Sequence, residues 1–129
     1  MENNVTSLSV SKKLKEAGFK KQSERVWFSY DGVNILECRD DYCLRKQDYY
    51  AYQVNELLVE LPRIIPSKNK YGFGLEIIPL TNGKIFIAYR NPNERDLHYV
   101  CENTIQDALG EMKIWHIKWL KENDYINAK

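Results

Sequence analysis

Residues 75–90 constrain the fold more than any other stretch of the chain. Two β-rich runs flank Thr81-Asn82-Gly83-Lys84. Asn-Gly favours a two-residue type I′ hairpin, because both central residues need positive φ. In that register Ile78 faces Ile87 and Leu80 faces Ile85. Pro79 then opposes Phe86 at a hydrogen-bonded pair and lacks the N–H it should donate. Either the loop is longer than two residues or the ladder breaks at Pro79. The hairpin is also apolar on both faces: Leu75, Ile77 and Phe86 point one way, and Ile78, Leu80, Ile85 and Ile87 the other. An antiparallel sheet with one wet face alternates more cleanly. The second face is therefore expected to be covered by a helix, by loops or by another chain.

The rest of the chain supplies helices and further strands. Residues 7–17 read as a first helix: Ser7 or Ser9 can cap it, Val10, Leu14 and Ala17 make one apolar stripe, and Gly18 stops it. Residues 26–30 and 33–39 form a hairpin about Asp31-Gly32, and a third short strand falls within 44–50. Residues 54–61 make a second short helix, ended by Pro62 and Pro66. Residues 97–101 are one more strand. A long helix over about 104–122 follows, capped by Asn103, with Ile105, Ala108, Leu109, Met112, Trp115 and Trp119 at helical spacing. Ile114 and Ile117 widen its apolar face. Gly110 costs up to about 1 kcal/mol there, which close packing against another element would explain. The predicted fold is a single α+β domain over residues 1–129. Its antiparallel sheet has about 4–6 strands, with two shorter helices and the long C-terminal helix packed on it.

A chain of 129 residues needs no disulfide or metal to fold. Its net charge of +1 argues against a chain-wide preference for nucleic acid or membrane. No stretch approaches the roughly 20 apolar residues that span a bilayer. The three cysteines, an odd number, and a polar first segment fit reduced thiols in the cytoplasm. Nine tyrosines and three tryptophans suit either a core or an interface.

Several residue groups carry possible chemistry. Cys38 and Cys43 with His98 and Cys101 are zinc-ligand types, but the first spacing is wide and Cys38 falls mid-strand. Buried free cysteines are common, so neither a metal nor any other cofactor is expected. A cysteine paired with His98 or His116 would make a nucleophile, yet nothing local supports it and no catalytic residue is assigned. Lys20, Lys21 and Arg25, in a basic cluster with Lys12, Lys13 and Lys15, suit phosphate, although a solvated face is the commoner use. Tyr49, Tyr50 and Tyr52 can stack on bases or fill a core. Ile114 and Ile117 are the residues core packing least accounts for, and a partner or a second copy of the chain would cover them.

Ser11-Lys12-Lys13-Leu14-Lys15-Glu16-Ala17-Gly18-Phe19, with Gln22-Ser23 and Trp27, resembles the opening of small uncharacterised proteins encoded in bacteriophages and prophages. Glu56-Leu57-Leu58 with Leu61-Pro62 resembles their second helix, and residues 115–123 their closing helix. The resemblance implies no activity and no functional residues. It implies a host-cytoplasmic protein that binds a host protein or sequesters a signalling nucleotide. The leading expectation is a non-enzymatic interaction protein, a counter-defence factor that binds a host protein. A binder of a nucleotide or cyclic nucleotide comes second, and a nucleic-acid-binding accessory protein third.

Overall fold

The computed structural model describes residues 4–30, 32–38, 45, 47–68 and 70–123. Helix α1 (Leu8–Glu16) starts at Ser7, whose hydroxyl accepts from the Val10 N–H. It ends in a Schellman turn: the Gly18 N–H reaches Lys15 O and the Phe19 N–H reaches Leu14 O, which folds Phe19 back onto the core. Strands β1 (Arg25–Tyr30), β2 (Val33–Cys38) and β3 (Tyr49–Ala51) form an antiparallel sheet in the order β2-β1-β3. The third strand thus lies at the end of the expected window and beyond it.

Helix α2 (Val54–Leu58) is fixed at its start by the Gln53 N–H bonding to Glu56 Oε1 at 2.8 Å. It is shorter than expected; Leu57 and Leu61 are buried while Leu58 and Val59 face outward. Strands β4 (Ile64–Ile65), β5 (Phe73–Pro79), β6 (Ile85–Arg90) and β7 (His98–Glu102) make a second antiparallel sheet in that order. Helix α3 (Ile105–Glu122) closes the described chain, and its cap is Thr104 rather than Asn103: the Thr104 hydroxyl accepts from the Asp107 N–H. The α+β class, the antiparallel strands, the two shorter helices and the long last helix are as expected, with the strands divided between two sheets.

The β5–β6 hairpin resolves the Pro79 conflict. Pro79 pairs with Ile85, Ile78 with Phe86 and Ile77 with Ile87, one residue out of the expected register. The Gly83 N–H bonds to Leu80 O and the Leu80 N–H to Lys84 O, so the loop has three residues, 81–83. Gly83 takes the left-handed position that closes such a loop, with φ +87°. The Leu75 N–H points outward, to Arg63 O. Amides alternate along a strand, so the 79 position also faces outward and its missing N–H costs the ladder nothing.

That slip regroups the faces. Leu75, Ile77, Ile85, Ile87 and Tyr89 share one face with Val100, and most of it meets α3 in the main core. Ile78, Phe86, Tyr99 and Cys101 share the other. Tyr99 stacks on Phe86 at 5.5 Å and stays 61% exposed, so the expected cover is absent there among the described residues.

Helices α1 and α3 cross where Gly110 has no side chain. A Cβ there would lie 2.5 Å from Val10 Cγ1 and 3.3 Å from Thr6 Cγ2. The close neighbours are side chains of α1 and of the segment that leads into it. That segment is pinned by polar contacts. Buried Thr6 exchanges backbone and hydroxyl bonds with Tyr52: Thr6 N–H to Tyr52 O at 2.9 Å, and Tyr52 N–H to Thr6 Oγ1 at 3.0 Å. Thr6 Oγ1 also bonds to Ser11 Oγ at 2.7 Å, and Trp27 Nε1 donates to Thr6 O. Thr6→Val keeps the shape but strands the Tyr52 N–H. We expect a loss of about 1–3 kcal/mol, read as a lower urea midpoint at unchanged slope.

Candidate functional site

Two hollows meet at the C-terminal end of α1. The first, of about 330 Å³, lies between α1 and β3 and is lined by Ser11, Lys15, Phe19, Lys20, Tyr50 and Tyr52. Its walls are held by the contacts that hold the fold. The Schellman turn sets Phe19 against Tyr52, ring centres 4.9 Å apart, and Tyr50 stands 6.2 Å from Tyr52. The Tyr52 hydroxyl donates to Lys21 O at 2.6 Å, and burial pushes its phenol well above the ordinary range. Lys15 reaches across to β3: its Nζ donates to Asp48 O at 2.8 Å and sits 5.1 Å over the Tyr49 ring. Asp48 is fully buried and takes a two-pronged ion pair from Arg45, which fixes the chain just before β3.

The second hollow, of about 390 Å³, is more open and gathers Lys20, Lys21, Lys113 and Lys121 with Glu60 and Ile117. Lys21 Nζ donates to Glu56 O at 3.0 Å and lies 3.5 Å from Glu60 Oε2. Lys113 is buried, its Nζ donating to Glu60 O at 2.8 Å and lying over the Phe19 ring. Burial lowers its pKa, and Glu60 partly offsets this. Its neighbour His116 is pushed down to about 4 by burial and then by the Lys113 charge.

Lys20, Tyr50 and Tyr52, predicted from separate stretches, therefore converge on one hollow, with Lys21 in the next. Tyr49 lies beneath Lys15 and packs beside Trp27. Arg25, at the start of β1, lines neither hollow. Ile117 reaches the rim of the second, whereas Ile114 is 9% exposed and belongs to the main core, so the fold itself covers it. Sequence reasoning missed Lys113 and Lys121; helical spacing from Ile117 at i−4 and i+4 was the available signal.

The zinc-ligand types do not converge where they can be followed. His98 pairs with Tyr89 and Cys101 with Phe86, which puts them on opposite sheet faces. His98 stacks flat on Trp115 at 4.7 Å, and burial lowers its pKa. Cys43 lies outside the described residues, as does the side chain of Cys38. Among the described residues no three His, Cys, Asp or Glu side chains are placed to hold a metal, and no helix is long and apolar enough to cross a membrane.

A third surface lies beyond α2. Strand β4 pairs with Phe73 and Gly74, so among the described residues the outer edge of β5 has no strand beside it from Ile77 to Pro79. Beside that edge runs an open groove of about 1020 Å³ lined by Leu58, Val59, Leu61, Arg63, Ile64, Gly74, Leu75 and Ile77. Val59 is 71% exposed and Ile64 60%. Nothing in composition or spacing marked this surface, because its apolar residues come from three elements. Comparison of the chain with protein-family models, curated proteins and solved structures gave no match.

Proposed function

We propose that this chain is a non-enzymatic interaction protein of phage or prophage origin, a counter-defence factor that binds a host protein in the groove beside β5. The supporting observation is the clustering of Leu58, Val59, Ile64 and Ile77 as exposed apolar groups around one groove. Contiguous apolar surface of this kind marks sites of association. The phage assignment rests on the resemblance of residues 11–19 and 115–123.

The occupant is a short extended segment of the partner. By the alternation set by Leu75, the Ile77 N–H points out of the sheet, where an added strand can pair with it. Pro79 ends the usable edge, so few main-chain bonds form and the groove supplies most of the affinity. Among the described residues Arg63 is the one charged residue in the lining, and it asks for a carboxylate on the segment. Peptides selected from displayed fragments of host proteins should be apolar, extended and acidic at one position. Val59→Asp should weaken their binding at least about tenfold, equal to about 1.4 kcal/mol, in a fluorescence titration. Equal binding by wild type and V59D would overturn the assignment.

A further inference from the structure

Lys20 stands on the ridge between the two hollows and lines both. It is exposed and makes no ion pair among the described residues. The hollow on one side of it has aromatic walls: Phe19 and Tyr52 are buried, and Tyr50 is half-buried. Phe19 and Tyr52 pack on each other at 4.9 Å and form the floor, which leaves the half-buried Tyr50 as the ring a flat group can lie against. At about 330 Å³ the hollow is near the lower end of the range for small-molecule sites, enough for a base and part of its sugar. Lys20 brings an exposed cation to its lining, while Ser11 and Lys15, which also line it, are already bonded to Thr6 and to Asp48 O.

The hollow on the other side has a different chemistry. Among the described residues, Lys20, Lys21, Lys113 and Lys121 line it against the single carboxylate of Glu60. The chain as a whole carries only +1, so this concentration of positive charge is local. A lone carboxylate on an aromatic ring would satisfy the first hollow and leave the second unused. A flat ring joined to a chain of phosphates satisfies both.

We propose that the two hollows form one binding site for a nucleoside polyphosphate, with the base lying against Tyr50 over a floor made by Phe19 and Tyr52. Lys20 takes the first phosphate at the ridge, and the following phosphates run towards Lys21 and Lys121, with the buried Lys113 behind them. No bond is made or broken; the site binds and holds. It is separate from the groove beside β5, and neither depends on the other.

The test is a thermal-shift and calorimetric titration of the full chain with ATP and GTP, and with adenosine and inorganic tripolyphosphate as half-ligands. In about 100-fold excess over Kd, at least one nucleotide should raise the melting temperature by about 5–10 °C. Lys20→Glu should weaken that nucleotide at least tenfold, and Tyr50→Leu, which keeps bulk but removes the ring, should weaken it severalfold. Lys118→Glu, on an exposed part of α3 outside both hollows, should leave it unchanged. Flat melting curves with both nucleotides would overturn the proposal. So would tripolyphosphate binding as tightly as ATP, since the aromatic hollow would then contribute nothing. Equal loss in K118E and K20E would reduce the effect to non-specific charge and overturn it too.

Discussion

Gly110→Val lowers stability by about 2–3 kcal/mol, even though valine favours a helix slightly over glycine. The reason is the crossing of α1 and α3. The first added carbon would lie 2.5 Å from Val10 Cγ1, far inside van der Waals contact. Val10 is buried and β-branched, so it cannot swing away, and Leu14 Cδ1 stands 3.5 Å off on the same side. The helices must move apart or a rotamer must strain. The same contact makes a second result specific. Val10→Ala alone leaves a cavity and destabilises, whereas Gly110→Ala in the V10A background is less harmful than in wild type. Urea unfolding of the four proteins in the G110A/V10A cycle should show a favourable coupling of about 1 kcal/mol. Additive losses would place the strain elsewhere.

Acid should weaken the fold through His116 over a defined window. In the folded chain this imidazole titrates at about 4, whereas its ordinary value is 6.5. Above pH 6.5 both folded and unfolded chains leave it neutral, and it does not make stability vary. Between 6.5 and 4 the unfolded chain takes up the proton and the folded chain does not, so stability falls as pH falls. Below 4 both are protonated and the slope from this group vanishes. The full loss is about 3 kcal/mol. Burial is the larger cause; the second is Lys113, whose Nζ lies 3.5 Å from His116 Nδ1. Trp115 and Trp119 enclose the ring and supply no counter-charge. Carboxylates titrate in part of the same range, so the contribution is isolated by difference. His116→Gln should flatten the stability profile between pH 6.5 and 4.5 relative to wild type, and parallel profiles would refute the assignment.

The elements most legible in the sequence were those whose signals are local. Ser7 and Gly18 bracket α1 because a cap hydroxyl and a C-terminal glycine act within one turn. The spacing of Ala108, Leu109, Met112 and Trp115 gave α3 its buried side for the same kind of reason. The β5–β6 register was not legible, because Asn82-Gly83 serves a three-residue loop as readily as a two-residue one. Pro79 was the clue: it forbids the shorter loop, and an outward-facing proline selects the longer. One residue of slip then moved Phe86 away from Leu75 and Ile77 and onto the face with Ile78. Strand β4 is two residues long and has no pattern to detect. The convergence of Lys20, Tyr50 and Tyr52 was legible as residue types only. Their meeting depends on Thr6 joining the start of α1 to Tyr52, and on the Schellman turn returning Phe19. Ile114 packs into the main core because α3 is packed around a wider arc than one stripe.

The most direct measurement of the central claim is amide hydrogen exchange at Ile77 in a complex with a selected peptide. Strand addition at the β5 edge predicts that the Ile77 amide slows markedly on binding while the Tyr99 amide on β7 does not. A saturated complex in which the Ile77 amide exchanges as fast as in the free chain would contradict it.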